Sequence, residues 1–381
     1  MQKKSTLKTG IAAALVLAFG MGAAQAQEVV RLGNLKFAHY GAVSYIKEIA
    51  PKCGIKVEEH IFAKGLDVMQ AIIAGELDVG ATASEAAISG RAGGAPIYVV
   101  AGFAKGGARL VAGTGQKIAG VKDLKGKRVG VTRGGIQEVL LLAELSQAGL
   151  TYSETKGKDV QLVFLAYADL NQALMGKNID AMMQSEPQSS QAINKGFGTE
   201  VIKPYDTPIG EPVRTMVMTE KFYKERRPVA EKFMRCFVEA TRTFIDSKPT
   251  AEKYVREVVF RGQITKDDFD DAISNSPYSY DITPEHIQTT TDVMVKTGVG
   301  RMSKPPVAKD WVKTDLLDQA KKSLNVKYSA AKKALRSQIG AEGFFHARIS
   351  AWQPPRGSLP PTVSAATASA HGWSAARWWW R

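Results

Sequence analysis

The stretch Lys127–Leu150, KRVGVTRGGIQEVLLLAELSQAGL, decides how the chain is read, because it carries a strand, a sharp glycine turn and an amphipathic helix in succession. Arg128 to Thr132 alternates and is β-branched, as a buried strand should be, and Val139, Leu140, Leu141, Leu142 and Leu145 fall within reach of a 3.6-residue period. Ala148-Gly149 supplies the stop. Between strand and helix lie Arg133, Gly134 and Gly135. A helix whose first turn lacks side chains exposes unpaired backbone N–H groups and the positive end of its dipole, which favours an anion. Arg133 adds a forked charge suited to carboxylate, sulfonate or phosphate. The same residues also satisfy a plainer reading, in which Gly-Gly only makes the turn and Arg133 faces water.

Upstream, residues 28 to 112 read as β-α-β-α-β-α-β, with strands at Val29–Leu35, Lys56–Ile61, Asp78–Ala81 and Ile97–Phe103. Residues 121 to 202 repeat the plan. Alternation of this kind implies a mostly parallel sheet covered on both faces by helices, hence an α/β fold. A local echo supports two similar halves: Gly75-Glu76-Leu77-Asp78 leads across a short strand to Ser84-Glu85, and Gly176 to Asp180 leads likewise to Ser185-Glu186-Pro187. In each case a glycine ends a helix, Leu or Ile plus Asp opens a strand, and Ser-Glu opens the next helix, where serine is suited to cap and glutamate to complement the dipole.

Val213–Thr219 is a further β-rich run, and everything after it is helical, including an amphipathic helix over Val229–Ser247 with Phe233, Phe237 and Phe244 on one side. A return strand followed only by helices sends the chain back over the first half. Lobe I is therefore expected from residues 27–112 plus 215–327 and lobe II from 113–214. The crossings are expected near Gly113–Gly120 and Pro208–Arg214.

The two ends differ from this core. Lys3, Lys4 and Lys8 precede an apolar run from Ile11 to Met21 and an Ala24-Gln25-Ala26 cleavage site, so residues 1–26 read as a signal peptide and the mature chain as exported and periplasmic. From Tyr328 onward, five of the six tryptophans are gathered among Pro-Pro pairs and Ala/Ser tracts. Residues 328–381 are read either as a binding tail with exposed aromatics or as a disordered or aberrant extension. That tail carries a net +6 and the leader +3, so of the formal +14 only +5 remains for residues 27–327. With no basic stripe interleaved with aromatics in the core, nucleic acid is not an expected partner. Cys53 and Cys236 are read as buried free thiols, with a disulfide as the alternative in an oxidising compartment. His39, His60 and His286 are isolated, with no H-E-x-x-H or C-x-x-C, so neither a metal nor a cofactor is expected.

Sheets of this type bind ligands beyond the carboxyl ends of their strands. Those ends hold Phe37, His39 and Tyr40, then Ser84 and Glu85, then Arg133, Gly134, Gly135 and Ile136, then Tyr167 to Asp169, then Ser185 and Glu186, and Arg214 stands at the second crossing. If the lobes face each other, these points converge on one cleft. Each has an ordinary structural role open to it, as a core aromatic, a helix-start charge or half of an ion pair.

Together, the signal peptide, Leu124-Lys125-Gly126-Lys127-Arg128-Val129-Gly130-Val131, the Gly134-Gly135 helix entry, Gly75–Asp78 with Ser84-Glu85, Gln184-Ser185-Glu186-Pro187 and Phe222-Tyr223-Lys224 carry a resemblance. Over about residues 28–325 the chain resembles the periplasmic substrate-binding proteins of ABC importers for nitrate, taurine, aliphatic sulfonates and thiamine precursors. The resemblance implies a two-lobed, type II-like Venus-flytrap fold. It also implies a monomeric receptor, not an enzyme, that closes on a small anionic ligand and docks on a permease of the inner membrane. Ser185 stands where the sulfonate branch has Trp, and Gly135 where it has Ser, which leaves room for a larger or aromatic anion. Three rival readings remain: an enzyme of the thiamine-pyrimidine synthase type on the same scaffold, a hydrolase, and a sensory receptor. The first lacks a cysteine-rich loop, and the second lacks G-x-S-x-G.

Overall fold

The computed structural model describes residues 27–326, so the leader and the tail from 328 lie outside the described residues. Among the described residues eleven strands run in chain order: β1 (Glu28–Leu35), β2 (Ile55–Phe62), β3 (Val79–Ala83), β4 (Ile97–Lys105), β5 (Ala108–Gly113), β6 (Arg128–Val131), β7 (Tyr152–Ser153), β8 (Val160–Phe164), β9 (Ala181–Ser185), β10 (Gly198–Ile202) and β11 (Val213–Thr219). The α-helices are α1 (Gly41–Ile49), α2 (Gly65–Ile73), α3 (Ser84–Ala92), α4 (Ile136–Gln147), α5 (Tyr167–Met175), α6 (Gln188–Asn194), α7 (Glu220–Glu225), α8 (Arg227–Asp246), α9 (Lys248–Lys253), α10 (Lys266–Asn275), α11 (Pro284–Thr297), α12 (Ala308–Trp311) and α13 (Asp315–Ser323).

The strands form two sheets, ordered β2-β1-β3-β11-β4 and β10-β5-β9-β6-β8-β7. In the first, β1 runs parallel to β2 and β3, while β11 runs antiparallel to β3 and β4. In the second, β6 runs parallel to β8 and β9, while β5 runs antiparallel to β9 and β10. Each sheet is thus a mostly parallel frame with one reversed strand, and that reversed strand is where the chain arrives from the other lobe. The fold is the two-lobed α/β architecture that the alternation implies.

The echo seen in the sequence is a repeated structural clamp. Asp78 accepts from the Arg31 backbone N–H at 2.9 Å and from its Nη2 at 2.9 Å, while Arg31 Nη1 donates to the Gly75 carbonyl at 2.8 Å. Asp180 accepts from the Arg128 backbone N–H at 2.8 Å and from its Nη2 at 2.9 Å, and Arg128 also donates to the Lys177 carbonyl at 2.8 Å. In both lobes a carboxylate at the head of a buried strand ties the first strand to the turn ending the preceding helix. This explains why the Gly-to-Asp segment recurs with the same spacing to Ser-Glu.

Three expectations are corrected by the fold. The first crossing lies at Gly106-Gly107, not Gly113–Gly120, because β5 already belongs to the second sheet. Both glycines have positive φ, 66° and 77°, and a Cβ on Gly106 would lie 2.2 Å from the Asn275 carbonyl oxygen, so the switch needs glycine there. Cys53 and Cys236 form a disulfide and are not free thiols. The reason is packing: α1 lies on α8 through apolar faces, so the turn after α1 brings Cys53 to a Cα–Cα distance of 6.2 Å from Cys236. Neither Ser84 nor Ser185 caps a helix. Ser185 instead donates to the Gly107 carbonyl at 3.3 Å, beside the crossing.

The long helix α8 is as expected, burying Phe233, Phe237, Ala240, Thr241 and Phe244 and turning Arg235 and Arg242 outward. Its buried stripe covers the first sheet, which is how the helices after β11 return to lobe I. Among the described residues no helix is long and apolar enough to cross a membrane.

Candidate functional site

The strand tips of the two sheets meet around a small cavity of about 20 Å³, lined from the first lobe by Phe37, His39, Tyr40, Thr82 and Glu85. From the second lobe come Ile136, Gln137, Tyr167 and Ser185, and Arg214 reaches in from the start of β11. The volume suits about one water, so the lobes are nearly shut on one another.

The walls are aromatic. Phe37 meets Tyr167 edge-on across the cleft at 5.3 Å between ring centroids, and stacks on His39 at 5.8 Å. Tyr40 packs on Phe103 at 4.7 Å. Gly135 is what lets Tyr167 come so close, since a Cβ there would lie 2.2 Å from the tyrosine oxygen. Tyr167 donates to Gln137 Oε1 at 2.6 Å, and burial, followed by the charge of Glu85, drives its phenol well above the ordinary range.

The polar groups are unevenly satisfied. Arg214, only 1% exposed, donates through Nη2 to the carbonyls of Gly106 and Gly107 at 2.8 and 3.3 Å. Its Nε donates to His39 Nε2 at 3.0 Å. Burial, with the guanidinium alongside, holds His39 well below its usual pKa, so the ring is neutral. Because Nε2 accepts, its proton is on Nδ1. That Nδ1–H and Arg214 Nη1 have no partner, and neither has Glu85 Oε2. Burial raises Glu85 to about 7, against the pull of Arg214 and of the backbone N–H groups of Ile136 and Ala86. A pair of unpartnered donors and one unpartnered acceptor therefore belong to residues that line a small aromatic cleft. Such groups are costly to bury alone and become favourable when a solute supplies their complements.

The sequence-derived candidates separate into three groups. Phe37, His39, Tyr40, Glu85, Ile136, Ser185 and Arg214 line the cavity. Ser84 is buried just behind it with its hydroxyl unpartnered, and Gly135 stands behind the Tyr167 wall without lining the cavity. Arg133, Gly134 and Glu186 stand elsewhere, and Arg133 corrects the expected placement. Its guanidinium stacks 3.6 Å from the Phe164 ring centroid and pairs with Glu154 at 2.6 Å on an outer groove, because positive φ at Gly134 (74°) turns the chain after it. Nor does the α4 start stand open to an outside anion: Glu138 accepts from the Gly134 N–H, and Glu85 faces the Ile136 N–H. Glu186 is fully buried in an ion pair with Arg109 at 2.6 Å.

Tyr167, at one of the strand ends expected to converge, lines the cavity, whereas Arg109, Thr82 and Gln137 were not among the candidates. Arg109 had a readable signal, a lone charge inside the apolar run Ala108–Ala112. Its burial opposes its charge, but Glu186, Asp271 and Glu200 outweigh that and hold it protonated. Register shows Arg109 and Arg214 to be counterparts. Arg214 pairs with Ala83, two residues before Glu85, and Arg109 pairs with Gln184, two residues before Glu186.

Comparison with known proteins agrees with this fold. The NMT1-like family model matches residues 14–259. A protein of Escherichia coli (strain K12) named as an aliphatic sulfonates-binding protein is 30% identical over 237 residues, 60% of this chain and 69% of its own length. One of Brucella abortus (strain 2308), named only as a binding protein, is 31% identical over 181 residues, 46% of this chain and 53% of its own. Among solved structures, the alkanesulfonate-binding protein of Xanthomonas axonopodis pv. citri bound to MOPS superposes with a TM-score of 0.63 at 16% identity, over 75% of this chain and 98% of that one. The periplasmic nitrate-binding protein of Synechocystis PCC 6803 gives 0.64 at 16% identity, over 78% and 89%. The structural likenesses establish the two-lobed binding-protein fold, and the match over most of the chain establishes the lineage: the chain belongs to the NMT1-like family.

Proposed function

We propose that this chain is the solute-binding receptor of an ABC importer. It captures a small organic solute with an acidic group between its lobes and hands it to a permease in the inner membrane. The observation that carries the reading is the convergence of His39 Nδ1–H and Arg214 Nη1, both unpartnered, on a buried aromatic cleft between two lobes. Two unpartnered donors on residues that line one small cavity suit an oxo acid, and the rings of Phe37, Tyr40 and Tyr167 suit an organic body. The family relationship and the name of the Escherichia coli relative support the same reading. The residues in the cleft take binding roles: Arg214 and His39 hold the acid, Phe37, Tyr40 and Tyr167 enclose the rest, and Ile136, Gln137 and Ser185 close from the second lobe.

A ligand that binds the closed form alone stabilises it by RT ln(1 + [L]/Kd), about 2.7 kcal/mol at a hundredfold excess over Kd. Screening the mature protein by thermal shift against sulfonates, carboxylates, nitrate and pyrimidines should yield at least one solute that raises Tm by several degrees. Arg214→Gln should abolish that rise. A panel that leaves Tm unmoved, or an Arg214→Gln protein that responds as the wild type does, would remove the reading.

A further inference from the structure

The two lobes place a glutamate at the same point, two residues past the strand position paired with an arginine, but treat it differently. Glu186 is neutralised in place by Arg109 at 2.6 Å. Glu85 has no such partner: its Oε2 is buried without a hydrogen bond, and Arg214 acts on it through space while its own hydrogen bonds go to His39, Gly106 and Gly107. Glu85 also occupies a particular place between the lobes. It belongs to α3 of the first lobe, yet its carboxyl faces the Ile136 N–H at the start of α4 in the second, so it sits where an incoming anion would otherwise seek that helix start.

Two consequences follow for any solute. A simple anion entering the cleft meets Arg214 and His39 but also the Glu85 carboxyl that lines the same cavity, and like charges brought together in a poorly solvated space repel strongly. A solute that also carries an N–H group instead supplies the hydrogen bond that Glu85 Oε2 lacks, and a cationic amine also supplies the missing charge. Sites built with a buried polar group discriminate sharply against ligands that leave it unpaired.

Resting on the receptor reading above, we infer that Glu85 is a specificity-determining residue. The solute is an acid carrying an N–H donor, with its acidic end on Arg214 and His39 and its donor end on Glu85.

The test uses pairs of probes that differ by an amine, titrated calorimetrically into the mature protein: taurine against ethanesulfonate, β-alanine against propionate, and 4-(aminomethyl)benzoate against 4-methylbenzoate. In at least one pair the aminated member should bind the wild type ten times or more tightly than its partner. In Glu85→Gln that ratio should fall below about threefold, because the neutral amide no longer repels the plain anion or attracts the amine. Wild-type protein that takes the plain acids as well as the aminated ones overturns the inference and leaves the receptor reading standing. A Glu85→Gln protein that keeps the full preference overturns it in the same way. Should Glu85→Gln fail to fold, native mass spectrometry of wild-type protein from its own host decides. A retained acid with an N–H group supports the inference, and a retained acid without one overturns it. If no probe binds and nothing is retained, the receptor reading itself falls and takes the inference with it.

Discussion

Arg109 and Arg214 stand at matching points of the two sheets, each on the reversed strand and each opposite the strand that ends in Ser-Glu. In lobe II the arginine is spent on structure. It joins Glu186 at 2.6 Å, Glu200 at 2.9 Å and Asp271 at 2.7 Å, with Ser190 at 2.8 Å, so the guanidinium is fully engaged inside the protein. In lobe I the arginine is held by carbonyls and a neutral histidine, and its glutamate is left to face the cleft. On the proposed reading, one frame serves as scaffold in one copy and as binding surface in the other. The difference lies in which carboxylates surround it, not in the backbone.

The largest expected effect separates the two arginines. Arg109→Met leaves Glu186 buried without its counter-charge, a loss of about 3–5 kcal/mol, read as a large drop in the denaturant midpoint. Arg214→Gln is expected to cost much less in stability and to remove the solute response instead. If both variants lost stability alike and neither affected binding, the division of roles between the lobes would be wrong.

Next in size is the disulfide, which only lobe I carries among the described residues. Cys53→Ser with Cys236→Ser should lower stability by about 2–4 kcal/mol. Limited proteolysis under mild denaturant should then open the α1–α8 face of lobe I before lobe II.

A third buried glutamate shows what happens with no arginine at hand. Glu144 on α4 has an unpartnered Oε1, and burial, with Asp206 adding repulsion, raises its pKa to about 8. Because the folded-state pKa is raised, its contribution to stability is complete below the unfolded value near 4.5. That contribution is lost as pH rises through about 8. Glu144→Gln should therefore be neutral at pH 4 and stabilising at pH 9 by on the order of 2 kcal/mol. A stability difference from wild type that is the same at both pH values would mean that the Glu144 carboxyl titrates alike in the folded and unfolded chain. Smallest of all is Arg133→Ala, on an exposed pair with Glu154. It should shift stability by less than about 0.5 kcal/mol and leave solute binding unchanged.

The parts legible in the sequence were those set by local pattern. The Lys127–Leu150 stretch, the Gly-to-Asp echo and the amphipathic α8 depend on neighbours within a few residues, and periodicity reports on those directly. What it could not report was direction. Arg133 leaves the cleft because the ring of Phe164, a strand away, offers a face to stack on. The disulfide depends on how α1 lies across α8. The early crossing was marked by Gly106-Gly107, but Ile97–Gly113 reads as continuous β-rich sequence, so the switch between sheets was hidden inside it. Thr82 and Gln137 became candidates only when the lobes were brought face to face.

Amide hydrogen exchange, with and without the tightest-binding probe, tests the central claim most directly. Slowed exchange should concentrate at the two helix starts that face each other across the cleft, Glu85–Ala87 of α3 and Ile136–Val139 of α4, with the segment around His39. Protection confined to the outer groove beside Arg133 and Glu154, or none at either helix start, would contradict a solute held between the lobes.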